Sequence, residues 1–396
     1  MESTGRDNKL KILFILHMGV MRGGANKSGL ILIRGLKALG HDVTVLAPAE
    51  GEISEILRRD GIDCKVVPFT MAYPHSRRTL PSLLKFIPKS IRNKRINHRA
   101  VKELLPWVKQ LSPDIIHSNT SVMNIGSQLA EELEIPHVTH FREFGLRDTG
   151  FVEWHIRKML SYPLQYNIAI TKEISDYHQL PVEKSEVIYN GIYSPEVSRN
   201  GKERGGYVLY VGGINRAKGI EDILTGYSGL SAAQRSRHPL WIAGSIDDDS
   251  YVETLKRRSH RLRISEDIVW LGHREDIYTL MQGATCLVVP SHSEAFGRVV
   301  AEAMFNGCPV VGKDTHGIKE QFDNGLKLTG KEIGLRFRTI KEMTEMLDRV
   351  TCERPESYEE MTTAALETVS RLYSEETYVR SVERFYHKVL KMAYGN

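Results

Sequence analysis

The chain has 396 residues, a length that predicts two domains or three at roughly 100–200 residues each. Its 41% hydrophobic and 26% charged content is that of a globular protein, which excludes disorder over most of the chain. No apolar run approaches the roughly 18 residues of a membrane-spanning helix.

The charge is uneven. The net is +5, yet residues 1–192 carry 26 Lys and Arg against 20 Asp and Glu, and the rest of the chain is near −1. An anionic partner for the N-terminal half is expected. A nucleic-acid binder is not, because the excess is modest and local and no aromatics interleave the basic run. Cys64, Cys286, Cys308 and Cys352 have no CxxC spacing, so neither a disulfide framework nor a structural zinc site is expected. A reducing cytoplasm is the natural compartment.

In chain order, LKILFIL reads as a first β-strand; its charged flank lacks a signal-peptide pattern. The Gly-rich HMGVMRGGANKSG follows, then a helix through LILIRGLKAL that stops at Gly40. DVTVLAP is a strand, GEISEILRRDG a helix, and IDCKVVPF a strand. DIIHS, IPHVTHF and YNIAIT are further strands, with a helix through SQLAEELE. After VIYNGIYSPEVSRNGKERGG, rich in Gly, Asn, Ser and charge, the pattern restarts. GYVLYVGG, HPLWIAGS, DIVWLG, ATCLVVP and CPVVG are strands, each followed by a helical pattern. Short apolar strands alternating with helices predict parallel sheets covered on both faces. The fold class is therefore α/β, with two doubly wound Rossmann-like domains. The boundaries read as 1–192 and 193–375, with an amphipathic helix at 376–396.

One segment departs from the pattern. Residues 77–102 hold nine Lys or Arg and no Asp or Glu, interleaved with Leu80, Leu83, Leu84, Phe86, Ile87 and Ile91. This basic insertion, 70–102 with its flanks, suits an anionic membrane surface; it also reads as a solvated loop.

Two Rossmann-like domains commonly bind a nucleotide or its conjugate. Neither first turn, HMGVMRGGA or VGGINRAKG, carries GxGxxG, so a nicotinamide dehydrogenase is disfavoured. The most informative stretch is ATCLVVPSHSEAFGRVVAEAMFNGCPVVG. A strand ends at Pro290, a polar loop carries Glu294, and Gly297 opens a helix that ends at Asn306-Gly307. Backbone N–H groups around Phe296, Gly297 and Arg298 form a ready phosphate site. Glu302 on that helix can accept from the two hydroxyls of a ribose, and Glu294 can reach a sugar beyond the phosphates. The same spacing also fits two surface glutamates. Asp247-Asp248-Asp249 could hold a divalent cation, but its place before a helix fits a helix start better, and no metal site is assigned.

These motifs together resemble the GT-B glycosyltransferases, in particular family 4 of the retaining enzymes. The likeness rests on Glu294-x7-Glu302 with its flanks, the early Gly23-Gly24-Ala25, IPHVTH ending in His140, VIYNGI, VGGINRAKG and HGIKE, and it spans nearly the whole chain. It implies two domains facing across a cleft, with the C-terminal helix crossing back to the N-terminal domain. By the resemblance, Glu302 holds the ribose of a nucleotide-sugar donor and Glu294 holds the transferred sugar. Lys218 neutralises the diphosphate, and the backbone at Phe296, Gly297, Gly23 and Gly24 approaches it. His140 lies near the sugar, with a strand-end histidine satisfied in the core as the alternative reading. Arg142, Glu143 and Phe144 could line the acceptor side.

The chain departs from the family at three places. Gly213 stands where the family has Arg, with Arg216 a candidate replacement. His316 replaces the first Gly of GGxxE, which ends here at Glu320. Tyr193 ends NGIY where the family has Asp.

The expected activity is transfer of a sugar, with retention, from a nucleoside-diphosphate sugar such as a UDP-sugar. The acceptor would be a glycan or lipid-linked molecule, in polysaccharide biosynthesis, at the inner membrane face. Neither metal nor cofactor is expected, since Lys218, Arg216 and the helix at 297 would stabilise the leaving diphosphate, with Glu294 and His140 on the sugar. A GT-B nucleotide-sugar epimerase and a non-catalytic nucleotide-sugar scaffold remain open as alternatives.

Overall fold

A computed structural model describes residues 9–21, 23–73, 86–145, 150–192, 206–246 and 248–395. The chain forms two units, one of residues 1–191 with 375–396 and one of residues 192–374.

The first unit is built on a parallel seven-stranded sheet in the order β3-β2-β1-β4-β5-β6-β7. Its strands are β1 (Lys11–Ile15), β2 (Asp42–Ala47), β3 (Asp63–Val66), β4 (Ile115–Ser118), β5 (His137–Phe141), β6 (Gln165–Ala169) and β7 (Ser185–Val187). The helices are α1 (Gly24–Ala38), α2 (Glu52–Arg59), α3 (Phe86–Leu111), α4 (Ile125–Leu133), α5 (Gly150–Leu160), α6 (Lys172–His178) and, after the second unit, α15 (Glu375–Tyr394). Strand residues are apolar on both faces because helices cover both. On one face Phe14, Ile115 and Val138 pack with Leu32 and Ile33 of α1 and with Val382, Phe385 and Tyr386 of α15. On the other, Leu13, Ile15 and Ile116 pack with Leu104 and Val108 of α3 and Leu129 of α4. Each such buried side chain contributes roughly 1.5–3 kcal/mol. The C-terminal helix is thus part of the first unit's core. Gly35 on α1 makes room for it, since a Cβ there would run into the side chain of Val379.

The second unit has a parallel six-stranded sheet in the order β10-β9-β8-β11-β12-β13. The strands are β8 (Val208–Val211), β9 (Leu240–Ala243), β10 (Ile268–Gly272), β11 (Cys286–Val289), β12 (Val310–Lys313) and β13 (Leu335–Phe337). Its helices are α7 (Ile220–Ser228), α8 (Ala232–Arg237), α9 (Asp249–Arg261), α10 (Ile277–Gly283), α11 (Arg298–Phe305), α12 (His316–Thr329), α13 (Ile340–Cys352) and α14 (Glu359–Leu372). Tyr210, Ile242, Val288 and Val311 meet Ile220, Leu224, Leu255 and Leu347 in its core.

The order of each sheet reverses once, between β1 and β4 in the first unit and between β8 and β11 in the second. In open parallel sheets, ligands bind beyond the carboxyl ends of the strands at such a point. Among the described residues no helix is long and apolar enough to cross a membrane. The four cysteines are free.

Candidate functional site

In the second unit the loops after β8 and β11 flank the reversal. The first carries Lys218 in a short 3₁₀ turn over Arg216–Lys218, and the second carries Glu294. The two side chains form an ion pair, with Ser291 Oγ donating to the same carboxylate oxygen at 3.1 Å. Backbone bonds lock the loops together. His292 N–H donates to the Ala217 carbonyl at 3.1 Å, and Gly317 N–H donates to the Glu294 carbonyl at 2.9 Å. Gly219 has φ +70°, and a Cβ there would collide with the Pro290 carbonyl, so only glycine lets these loops approach.

Gly297, at φ +82°, turns the chain into α11. The first N–H groups of a helix have no partner within it and suit an anion. The Gln321 side chain donates to the carbonyls of Phe296 and Gly297, pinning this turn. The Phe296 ring is buried edge-on against Tyr373, at 5.3 Å between centroids, so only its backbone is offered to a ligand. One turn along α11, Glu302 lies 3.5 Å from the Arg298 guanidinium.

Gly213 accepts from the Tyr210 hydroxyl at 3.0 Å, which fixes the turn after β8. Arg216 is not brought to the Lys218–Glu294 pair. Its guanidinium lies 3.2 Å from Glu221 and over the Tyr251 ring. Asp248 caps α9; the Ser250 hydroxyl donates to it at 2.7 Å, as do the N–H groups of Ser250 and Tyr251, which together hold its carboxyl below the usual range. Asp247 and Tyr193 lie outside the described residues. His316 has φ +48°, a left-handed conformation in which a side chain is strained and glycine is not.

In the first unit Gly23, at φ +87° and ψ 159°, leads into α1, which begins at Gly24. At the ends of β4 and β5 lies a buried polar cluster in which His140 and Arg142, both singled out from the sequence, meet His117, Asn119, Asn190, Tyr378 and Tyr386, which were not. Arg142, 6% exposed, donates to the Asn119 carbonyl, the Asn190 side chain, Tyr378 Oη and His140 Nδ1. His117 stacks on Phe14 and contacts both His140 and Tyr386. Desolvation and the Arg142 charge push the pKa values of His117 and His140 well below the ordinary histidine value. His17, in the loop after β1, falls to about 4 for the same two reasons. Glu143 accepts from Ser121 Oγ at 3.0 Å, and burial pushes its pKa up to about 7. The one available signal for His117 was a second strand-terminal histidine, in DIIHS, matching the one in HVTHF.

Comparison with known proteins finds a glycosyltransferase model for each half. A family model described as Glycosyl transferases group 1 matches residues 196–366, and one described as Glycosyltransferase Family 4 matches residues 22–194. Glycogen synthase of Mycobacterium tuberculosis is 26% identical over 338 residues, covering 77% of this chain and 78% of its own length. O-antigen chain mannosyltransferase B of Escherichia coli is 29% identical over 167 residues, 41% of each chain. The crystal structure of Anabaena Alr3699/HepE in complex with UDP has a TM-score of 0.74 at 20% identity, covering 96% of this chain and 100% of that one. At that identity the likeness is one of fold.

Proposed function

This chain belongs to the group 1, family 4 glycosyltransferases of GT-B fold, and from that membership we propose that it moves a hexosyl group, with retention, from a nucleoside-diphosphate sugar to a hydroxyl of a glycan or lipid-linked acceptor. The observation that carries this reading is the Lys218–Glu294 pair at the strand-order reversal of the second unit, beside the N-terminus of α11. In this reading Lys218 and the N-terminus of α11, at Gly297 and Arg298, take up the charge of the departing diphosphate. Glu302 accepts from the ribose hydroxyls and Glu294 from the sugar. Arg216 would join Lys218 only by leaving Glu221 and Tyr251. The reading calls for no metal. Uridine is the first base to test, because a protein of the same fold has been solved with UDP.

Calorimetric titration with UDP and GDP, each with and without EDTA, tests the site. One diphosphate should bind, indifferent to EDTA, and binding should vanish in Glu302→Ala. Absence of binding, or binding that needs a metal, would overturn the assignment.

The acceptor side is proposed from α3 and the names of the relatives. Ile87 and Ile91 are 62% and 50% exposed, one turn apart among Lys89, Arg92, Lys94 and Arg95. Such a face suits an anionic membrane and a lipid-linked glycan of cell-surface polysaccharide synthesis. Residues 77–85 of this basic segment lie outside the described residues. Sedimentation with vesicles containing phosphatidylglycerol should show binding that weakens with salt and in Lys94→Glu/Arg95→Glu. Equal binding to neutral vesicles would refute it.

A further inference from the structure

The first unit keeps one tryptophan in water. Of the chain's four, Trp107 lies under the Lys65 ammonium, Trp241 stacks on Tyr207 and Trp270 packs against the core of the second unit. Trp154 on α5 is 63% exposed. A scattered exposed aliphatic residue is ordinary, but an exposed indole forgoes one of the largest burial gains a side chain offers. The pattern of α5 explains its place. His155, Ile156 and Met159 are buried, which turns Glu153, Trp154, Arg157 and Lys158 outward. Arg157 pairs with Glu153, and Lys158 stands one turn beyond Trp154.

This helix adjoins the exposed start of α3. Phe86, in the first turn of α3, packs on Tyr73, and the Tyr73 ring meets the His155 ring edge-on at 5.8 Å between centroids. Ile87 follows Phe86 and Trp154 precedes His155, so two exposed apolar side chains flank one buried aromatic contact. Along α3 the outward residues include Lys89, Arg92, Lys94, Arg95, Arg99 and Lys102 before the first carboxylate, at Glu103. The apolar side chains thus stand singly among long cationic stems. A protein interface gathers its apolar residues into a core and depletes that core of lysine. Single apolar points ringed by cations fit the boundary between lipid headgroups and acyl chains, where indoles collect and stems reach back to the phosphates.

We propose that Trp154 is a second point of membrane insertion, and that α3 and α5 together seat the first unit on an anionic bilayer. This rests on the membrane reading of α3 given above and adds a direction to it. One helix lying on a surface leaves the protein free to roll about that helix axis, and a contact on a neighbouring helix stops the roll. The His155 ring, next to Trp154, donates to the Ser121 carbonyl at 3.3 Å, just beyond β4. The seat therefore holds the carboxyl ends of the first sheet close to the headgroups, where a lipid-linked acceptor presents its glycan.

The test uses the full-length protein and phosphatidylglycerol vesicles brominated on the acyl chains. Bromolipid should quench the tryptophan emission of the parent, and the quenching should disappear in Trp154→Phe, whose remaining indoles are covered. Trp154→Ala should bind about tenfold more weakly, the effect of one large side chain, with an unchanged salt dependence. Lys94→Glu/Arg95→Glu should instead flatten the salt dependence. Trp154 is exposed, so both of its substitutions should leave the melting temperature unchanged. A parent that binds anionic vesicles without being quenched, or a Trp154→Ala variant that binds as the parent does, would overturn the second insertion point and leave α3 as the contact. Equal quenching by neutral vesicles would overturn the anionic seat. A blue shift of Trp154 emission at high protein concentration without lipid would give this face to a second copy of the chain. A parent that ignores anionic vesicles would sink the membrane reading itself.

Discussion

At the ends of β4 and β5 in the first unit, His117 and His140 are fully buried and Arg142 nearly so, each bonded to side chains of other elements. At the ends of β8 and β11 in the second unit, the Lys218 and Glu294 side chains keep 30% and 16% of their surface exposed, on loops. Both places lie beyond the carboxyl ends of a parallel sheet, but they hold their groups differently. In the first, uncharged rings are fixed in direction by packing and bonded to one another. In the second, two charges serve as each other's partner, and an arriving ligand has to exchange that partnership for its own. A diphosphate that draws Lys218 away leaves Glu294 free for the hydroxyls of the sugar.

That exchange gives the largest expected effect. Lys218→Ala should cut the rate of transfer by about 10²–10³, the size seen when one electrostatic stabiliser is removed from an active site, and should weaken UDP binding. Glu294→Gln should also abolish most transfer, yet UDP should bind as well as in the parent or more tightly, because Lys218 no longer has a competing carboxylate. Titration of both variants with UDP beside turnover measurements separates the two roles. Equal loss of UDP affinity in both would make the pair a structural clasp, and the contrast between the two units would collapse.

The two regions also differed in how well the sequence announced them. The Glu294–Glu302 stretch is contiguous, so strand, loop, glycine, helix and strand appear in order, and α11 begins and ends where the glycines place it. The polar cluster of the first unit is not contiguous. His117 alone is a strand-end histidine, and Tyr386 alone is an aromatic on the apolar face of an amphipathic helix; only the return of α15 joins them. Local geometry also decided Arg216. Two residues apart in a 3₁₀ turn, it and Lys218 diverge, one toward Glu221 and the other toward Glu294. Among strands, β7 and β13 escaped notice. Each has three residues, includes a charged one, and lies at a sheet edge, where neither a continuous apolar run nor a clean alternation is required. The left-handed backbone of His316 shows what the sequence could only raise as a substitution: the position still has the geometry of a glycine.

A smaller effect tests the burial side of the comparison through pH. His17, His137 and His155 have pKa values lowered to about 4, chiefly by burial, and His117 and His140 are also lowered. A histidine depressed by folding contributes stability above its unfolded pKa of about 6.5 and loses it as pH falls toward the folded value. Glu143 runs the other way. Its value is raised to about 7, so its contribution is full below the unfolded carboxylate value of about 4.5 and is lost as pH rises through 7. Between pH 4.5 and 6.5 the two trends oppose, and five histidines outweigh one glutamate. The first unit should therefore weaken on acidification from pH 7 to 5. In Glu143→Gln, which keeps the shape but cannot ionise, the unit should gain up to about 3 kcal/mol near pH 8 and weaken more steeply in acid. In the second unit the described shifted groups either move away from this window, as Asp323 does downward and Cys286 upward, or, like His238, are only partly buried. Its stability should stay nearly level from pH 5 to 8. Peptide-resolved hydrogen exchange on the full chain at pH 5 and 8, corrected for the intrinsic rate, reads both units in one sample. Loss of protection in the second unit at pH 5 with the first unchanged would show that the buried histidines carry no penalty, and the assignment of uncharged rings to the first unit would fail with it.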